Sequence, residues 1–106
     1  LRDIIKGSPK KSPDVKTIQK SVSQHFDIPI ETLKAKTRIS RVVRARQVAI
    51  YITRELTDFS LVQIGKYFGG RDHSTILHAC RKIERELEND PALVRKLEAV
   101  REDLYA

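Results

Sequence analysis

Across residues 15–26 the apolar side chains Val15, Ile18, Val22 and Phe26 recur every three or four positions, which predicts a helix with one buried stripe. Ser12 and Pro13 just ahead of it read as an N-cap and an N1 proline, and Pro29 ends the segment because it cannot donate to a continuing ladder. From Pro29 to about Lys34 a short helix is pinned by Ile30 and Leu33. Ser40 is placed to cap a long helix reaching about Leu56, with Val42, Ala45, Ala49, Ile52 and Leu56 inward and Arg41, Arg44 and Arg54 largely on the other side. Thr57-Asp58-Phe59-Ser60 breaks that helix, and Ser60 caps a short one over Leu61–Phe68 that points Leu61, Ile64 and Phe68 one way. Gly69-Gly70 supplies a turn, after which Ile76, Cys80, Ile83 and Leu87 lie on one face of a helix from about Asp72 to Leu87. Asp90-Pro91 is a further N-cap and N1 pair, opening a last helix with the stripe Leu93, Val94, Leu97, Val100 and Leu104. No stretch alternates with the period of a strand, so the pattern predicts an all-α, compact helical domain of about six helices.

The order short helix, glycine turn, second helix with a polar tip is the helix-turn-helix arrangement. Glycine-turned helix pairs also occur in proteins that bind no DNA, so charge has to decide. Residues 1–54 carry 13 Lys/Arg against 4 Asp/Glu, and residues 55–106 carry 8 against 10. Between Thr32 and Arg54 there is no acid, while Lys34, Lys36, Arg38, Arg41, Arg44, Arg46 and Arg54 are all basic. Solvated helices mix signs; a segment of one sign implies a polyanionic partner. Together with the polar helix tip, that implies double-stranded DNA.

At 106 residues the chain is long enough for one domain with its own core. Residues 1–12 read as the end of a preceding helix (Leu1, Ile4, Ile5) and a linker, Gly7-Ser8-Pro9-Lys10-Lys11, which leaves 13–106 as the domain. The chain opens on Leu1 rather than Met, the expectation being a piece excised from a longer protein. One cysteine excludes an internal disulfide and fits a reducing compartment, and no apolar run approaches the ~20 residues of a membrane span.

Asp72 has two readings, an N-cap accepting from the Ser74 or Thr75 amide, or an acceptor for a cytosine amine in the major groove; one side chain can serve both. His73, Ser74 and Thr75 occupy the first helical turn, where imidazole, hydroxyls and the Thr75 methyl suit base edges. His73, His78 and Cys80 do not form a zinc site, which takes four ligands at characteristic spacing. At about 100° per residue Cys80 falls near the inward direction of Ile76 and His78 opposite it. No Gly-x-x-x-x-Gly-Lys-Ser/Thr loop and no catalytic constellation is present, so no enzyme and no cofactor is read in this fragment.

Arg44-Ala45-Arg46-Gln47, Glu55-Leu56-Thr57, Ser60-Leu61-x-x-Ile64-Gly65, and Phe68 through Thr75 followed by His78-Ala79-Cys80-Arg81-Lys82-Ile83 resemble the C-terminal domain of the bacterial chromosomal replication initiator family, DnaA. The likeness runs from about Asp14 to Asn89 and is densest from Arg38 to Ile83. It implies a Trp-repressor-like helix-turn-helix module of a cytoplasmic, nucleoid-associated AAA+ ATPase that recognises short asymmetric boxes at the replication origin. By resemblance Asp72, His73, Ser74 and Thr75 read the major groove. Arg38, with Arg41 as the alternative, enters the minor groove. Lys36, Arg46, Gln47, Arg54, Thr57, Leu61, Val62 and Lys82 contact phosphates, the aliphatic pair through backbone amides. Residues 1–12 then connect to an ATPase lid, and ATP and Mg, like oligomerisation, belong to the parent protein; the fragment is expected to be monomeric. The sequence departs from the family where Val62 replaces a frequent proline, and its basic loop carries fewer cations than some relatives.

The mechanism expected is layered: about six phosphate contacts give affinity with a log–log salt slope near −5, and base contacts choose the sequence. The competing readings are a helix-turn-helix transcriptional regulator and an acidic-phospholipid-binding module, the Arg-rich helix lying on anionic lipid. The resemblance also admits acidic phospholipids and replication-regulatory proteins as additional partners.

Overall fold

A computed structural model describes residues 13–105. They form six helices and, among the described residues, no strand: α1 Val15–Phe26, α2 Ile30–Lys34, α3 Ser40–Leu56, α4 Leu61–Tyr67, α5 His73–Leu87 and α6 Pro91–Leu104. The expected connector, residues 1–12, lies outside the described residues.

Helix ends follow the capping chemistry with two corrections. The first helix is capped by Asp14, whose carboxylate accepts from the Thr17 amide at 2.8 Å, and not by Ser12, so Pro13 precedes the helix instead of opening it. An Asp three residues before a free amide satisfies an orphan donor directly. Ser40 is the first residue of α3, and Ile39 occupies the cap position without a side-chain bond. The hydroxyl that acts there is Thr37, which accepts from the Ile39 amide at 3.2 Å. Ser60, Asp72 and Asp90 cap α4, α5 and α6 as their spacing implies, Ser60 in a reciprocal capping box with Gln63.

The third helix is the axis of the domain: α1, α2, α4 and α5 all pack on it, and α6 closes the other side of α1 and α5. Its sequence reads as one inward stripe, yet Val48 and Ile50 are buried alongside Val42, Ala45, Ala49 and Ile52. A helix packed from several directions is apolar around most of its circumference. The buried Thr53 hydroxyl on it is satisfied by donating to the Ala49 carbonyl at 2.7 Å. The core fills with Ile18, Val22, Leu33, Ile64, Phe68, Ile76, Ile83 and Leu97, each fully buried. Polar ties cross the helices at the surface. Arg101 makes a two-pronged bond to Glu55, and Ser21 donates to Asp103 at 2.8 Å. Among the described residues no helix is long and apolar enough to cross a membrane.

Candidate nucleic-acid interface

The second helix of the helix-turn-helix is aimed by three glycines. The Gly65 carbonyl accepts from the amides of Phe68, Gly70 and Arg71 at 3.2, 3.0 and 3.1 Å, folding the chain back on itself. Gly69 and Gly70 take φ of 82° and 77°, a left-handed conformation open to glycine at little cost. A Cβ on Gly65 would stand 2.0 Å from the Arg71 carbonyl oxygen, so the close approach itself demands glycine.

Asp72 then starts α5 by accepting from the Thr75 amide at 2.9 Å. That bond and the Thr75 hydroxyl hold the carboxyl below its ordinary range. The cap reading of Asp72 is thus the geometry present, and one carboxylate oxygen remains outside the bond to Thr75. His73, Ser74 and Thr75 are all exposed on the first turn, as is His78, whereas Cys80 is buried and its thiol pushed up by that burial.

Beside the tip lies the loop 35–39, on which Lys36, Arg38 and Ile39 are exposed. A cleft of about 430 Å³ joins the two, lined by Lys36, Thr37, Arg38 and Arg46 on one side and by Gly69, Gly70, Arg71 and Thr75 on the other. Arg38 also borders a second cleft of about 290 Å³ with Gln47 and Lys82. The expected base-contacting and phosphate-contacting residues Arg38, Thr75, Lys36, Gln47 and Lys82 are therefore brought to adjoining surfaces.

Others fall elsewhere. Arg54 faces a separate cleft between α3 and α5 with Tyr51, Leu77, Cys80 and Arg81. Thr57 donates to the Thr53 carbonyl at 2.7 Å at the end of α3. Leu61 is half-buried against the core and Val62 is exposed at the start of α4. Lys82 is bonded to Glu86 at 2.7 Å, and Glu86 in turn accepts from Arg44, which also reaches Asp90 at 2.8 Å. The Lys82 ammonium, and secondarily Arg44, hold the Glu86 carboxyl below its usual value.

Arg46 departs from its expected role as a surface phosphate contact. It is only 6% exposed. Its Nε donates to the Leu33 carbonyl at 2.9 Å, and its Nη2 to those of Ala35 and Thr37 at 2.7 and 3.2 Å. A planar guanidinium can serve several carbonyls at once, and here it shapes the basic loop from inside. Only Nη1 is left without a partner among the described residues. Burial, and then the neighbouring charge of Arg71, pull its pKa below the ordinary arginine value.

Arg71, given no role on sequence grounds, turns out to be the counterpart of Arg46. It donates to Lys34, Phe68 and Ala35 carbonyls, the last at 2.9 Å. The one sequence signal was its place between a glycine pair and a helix cap, where a long side chain has few local partners. Among the described residues no three His, Cys, Asp or Glu side chains are placed to hold a metal.

The sequence model for the bacterial DnaA protein helix-turn-helix matches residues 15–83. The fold is similar to that of a solved crystal structure of a DNA replication initiation factor, with a TM-score of 0.73 at 24% identity over 85% of this chain. The chain spans 29% of that protein's length.

Proposed function

The chain belongs to the bacterial DnaA helix-turn-helix family, a DNA-binding and non-catalytic domain, and from that premise we propose that it is the box-reading module of a replication initiator. The observation that carries the reading is the shared cleft, which sets the exposed tip of α5 and the cations of loop 35–39 side by side. A tip entering the major groove leaves the adjoining loop over the neighbouring minor groove, separated by one phosphate backbone.

In this mechanism Asp72, His73, Ser74 and Thr75 read base edges, and Arg38 enters the minor groove. A minor groove narrowed by A·T pairs attracts an inserted arginine, and the exposed position of Arg38 between the two clefts suits that use. Lys36, Gln47, Arg54, Thr57, Leu61, Val62 and Lys82 contact phosphates, the last in competition with Glu86. Arg46 supports the loop and offers at most Nη1. Among the described residues, Lys34, Lys36, Arg38, Arg41 and Arg54 of the basic segment carry no carboxylate partner. With Arg38 given to the minor groove, four are left for phosphates, and the salt slope is expected near −4, shallower than the composition alone suggests.

Replacing His73 or Thr75 with Ala tests base reading. Each is expected to lose about 1–3 kcal/mol on a duplex carrying the family's origin box and little on a scrambled duplex. Equal losses on both duplexes would remove these residues from base readout.

A further inference from the structure

We propose that Arg71 is a positioning residue that locks the tip of α5 and the loop 35–39 into one rigid reader, so that two grooves are met in a fixed register. The inference rests on the DNA reading above and names what holds its two halves together.

Arg71 lies in the helix-turn-helix turn, one residue before the cap of α5. From there its guanidinium reaches 37 residues back along the chain to the Lys34 carbonyl at 3.3 Å, and to that of Ala35 at 2.9 Å. The same Nη1 donates to Phe68 in its own turn. One planar group thus joins the end of α2 to the turn that aims α5. The backbone carries an independent sign of the same junction. A Cβ on Gly69 would stand 2.6 Å from the Lys34 oxygen and 2.7 Å from Arg71 Nη1, so the turn is pressed against the end of α2, where the loop begins, with no room between them. Arg46 meets the same Ala35 carbonyl from the core side, at 2.7 Å. The start of the loop is therefore held by guanidinia from two elements, α3 and the turn.

Holding the loop and tip together makes the second groove contact effectively intramolecular once the first has formed. A loop free to move would have to be ordered at that step. Lysine cannot replace Arg71 in this role, because a single ammonium lacks the planar fork that spans carbonyls on two segments. With its donors turned to carbonyls, Arg71 acts through the loop and not on phosphate.

The test uses the 106-residue chain and its Arg71→Lys variant, which keeps the charge. In the free proteins, amide hydrogen exchange is expected to accelerate about tenfold at residues 35–39 and 69–71, with α1 and α6 unchanged. Titrated against box and scrambled duplexes, the variant is expected to keep its scrambled-duplex affinity and salt slope while its box preference falls about five- to tenfold. In the unsubstituted chain, Arg38→Ala and Thr75→Ala are expected to combine non-additively on the box by about threefold or more, and additively in the Arg71→Lys background. Unchanged exchange in the loop, or an unchanged box preference, overturns the lock. Parallel loss on both duplexes with a slope shallower by about one makes Arg71 a phosphate contact and overturns it equally. Should Arg71→Lys fail to fold, additivity of the other two substitutions in the parent chain is the overturning result. A parent chain without box preference defeats the DNA reading, while the exchange measurement still decides the lock.

Discussion

Replacing Arg46 with Ala separates a guanidinium that builds the loop from one that grips DNA. The substitution removes three hydrogen bonds from a charged donor. Ala35 keeps Arg71 as a partner, and the Thr37 carbonyl lies on a half-exposed loop where water can replace the bond. The carbonyl of Leu33 fares worse, since its residue is 0% exposed. A stranded buried acceptor costs about 1–3 kcal/mol, and the lost packing of the arginine stem adds to that. Part is returned because the charge no longer has to be desolvated. The net expectation is a loss of about 2–3 kcal/mol, or roughly 10–20 °C in melting temperature for a domain of this size. Arg46→Lys, with one ammonium for three carbonyls, is expected to lose about half as much. Thermal melting by circular dichroism, with urea midpoints at fixed m, reads the effect. An Arg46→Ala protein that melts within about 2 °C of the parent, yet binds DNA with a salt slope shallower by about one, would refute the reasoning and return Arg46 to the phosphates.

Gly65→Ala is expected to cost about 3 kcal/mol or more, because the 2.0 Å approach is to backbone that cannot rotate away; near-parental melting would contradict so tight a turn. Cys80→Asp places a carboxylate at a site 8% exposed and is expected to unfold the domain, whereas a folded spectrum with normal melting would show that Cys80 is not part of the core. The Glu86 carboxyl lies below its ordinary 4.5, so its contribution is present above that value and lost as pH falls through the lowered one. The stability gap between the parent and Glu86→Gln, about 0.5–1 kcal/mol for a half-exposed cluster screened by solvent, should be open near neutral pH and close as pH falls through that lowered value. A gap independent of pH would show that Glu86 acts by something other than its charge.

Much of the fold was legible because its signals are local. The periods of α1, α5 and α6, the caps Ser60, Asp72 and Asp90, and the glycine turn each act within a few residues. Ser12 and Ser40 misled for the same reason: serine suits a cap, but Asp14 lay nearer the free amide, and Ile39 was placed by the loop behind it. The burial of Val48 and Ile50 was hidden because periodicity describes one face, whereas α3 is enclosed by elements far away in sequence. Arg46 and Arg71 were hidden for a deeper reason. A basic run reads as surface, and nothing local says that a guanidinium turns inward to carbonyls 11 or 36 residues away. Charge density marked the right region without separating the residues that form it from those that face outward.

The most direct measurement is fluorescence anisotropy of the chain on a box duplex and a scrambled duplex over a range of salt. The result expected is a box preference of about tenfold or more, roughly 1.4 kcal/mol, with salt slopes of about −3 to −5 on both. Equal binding to the two duplexes at every salt concentration would contradict sequence reading by this domain and leave only electrostatic attachment to DNA.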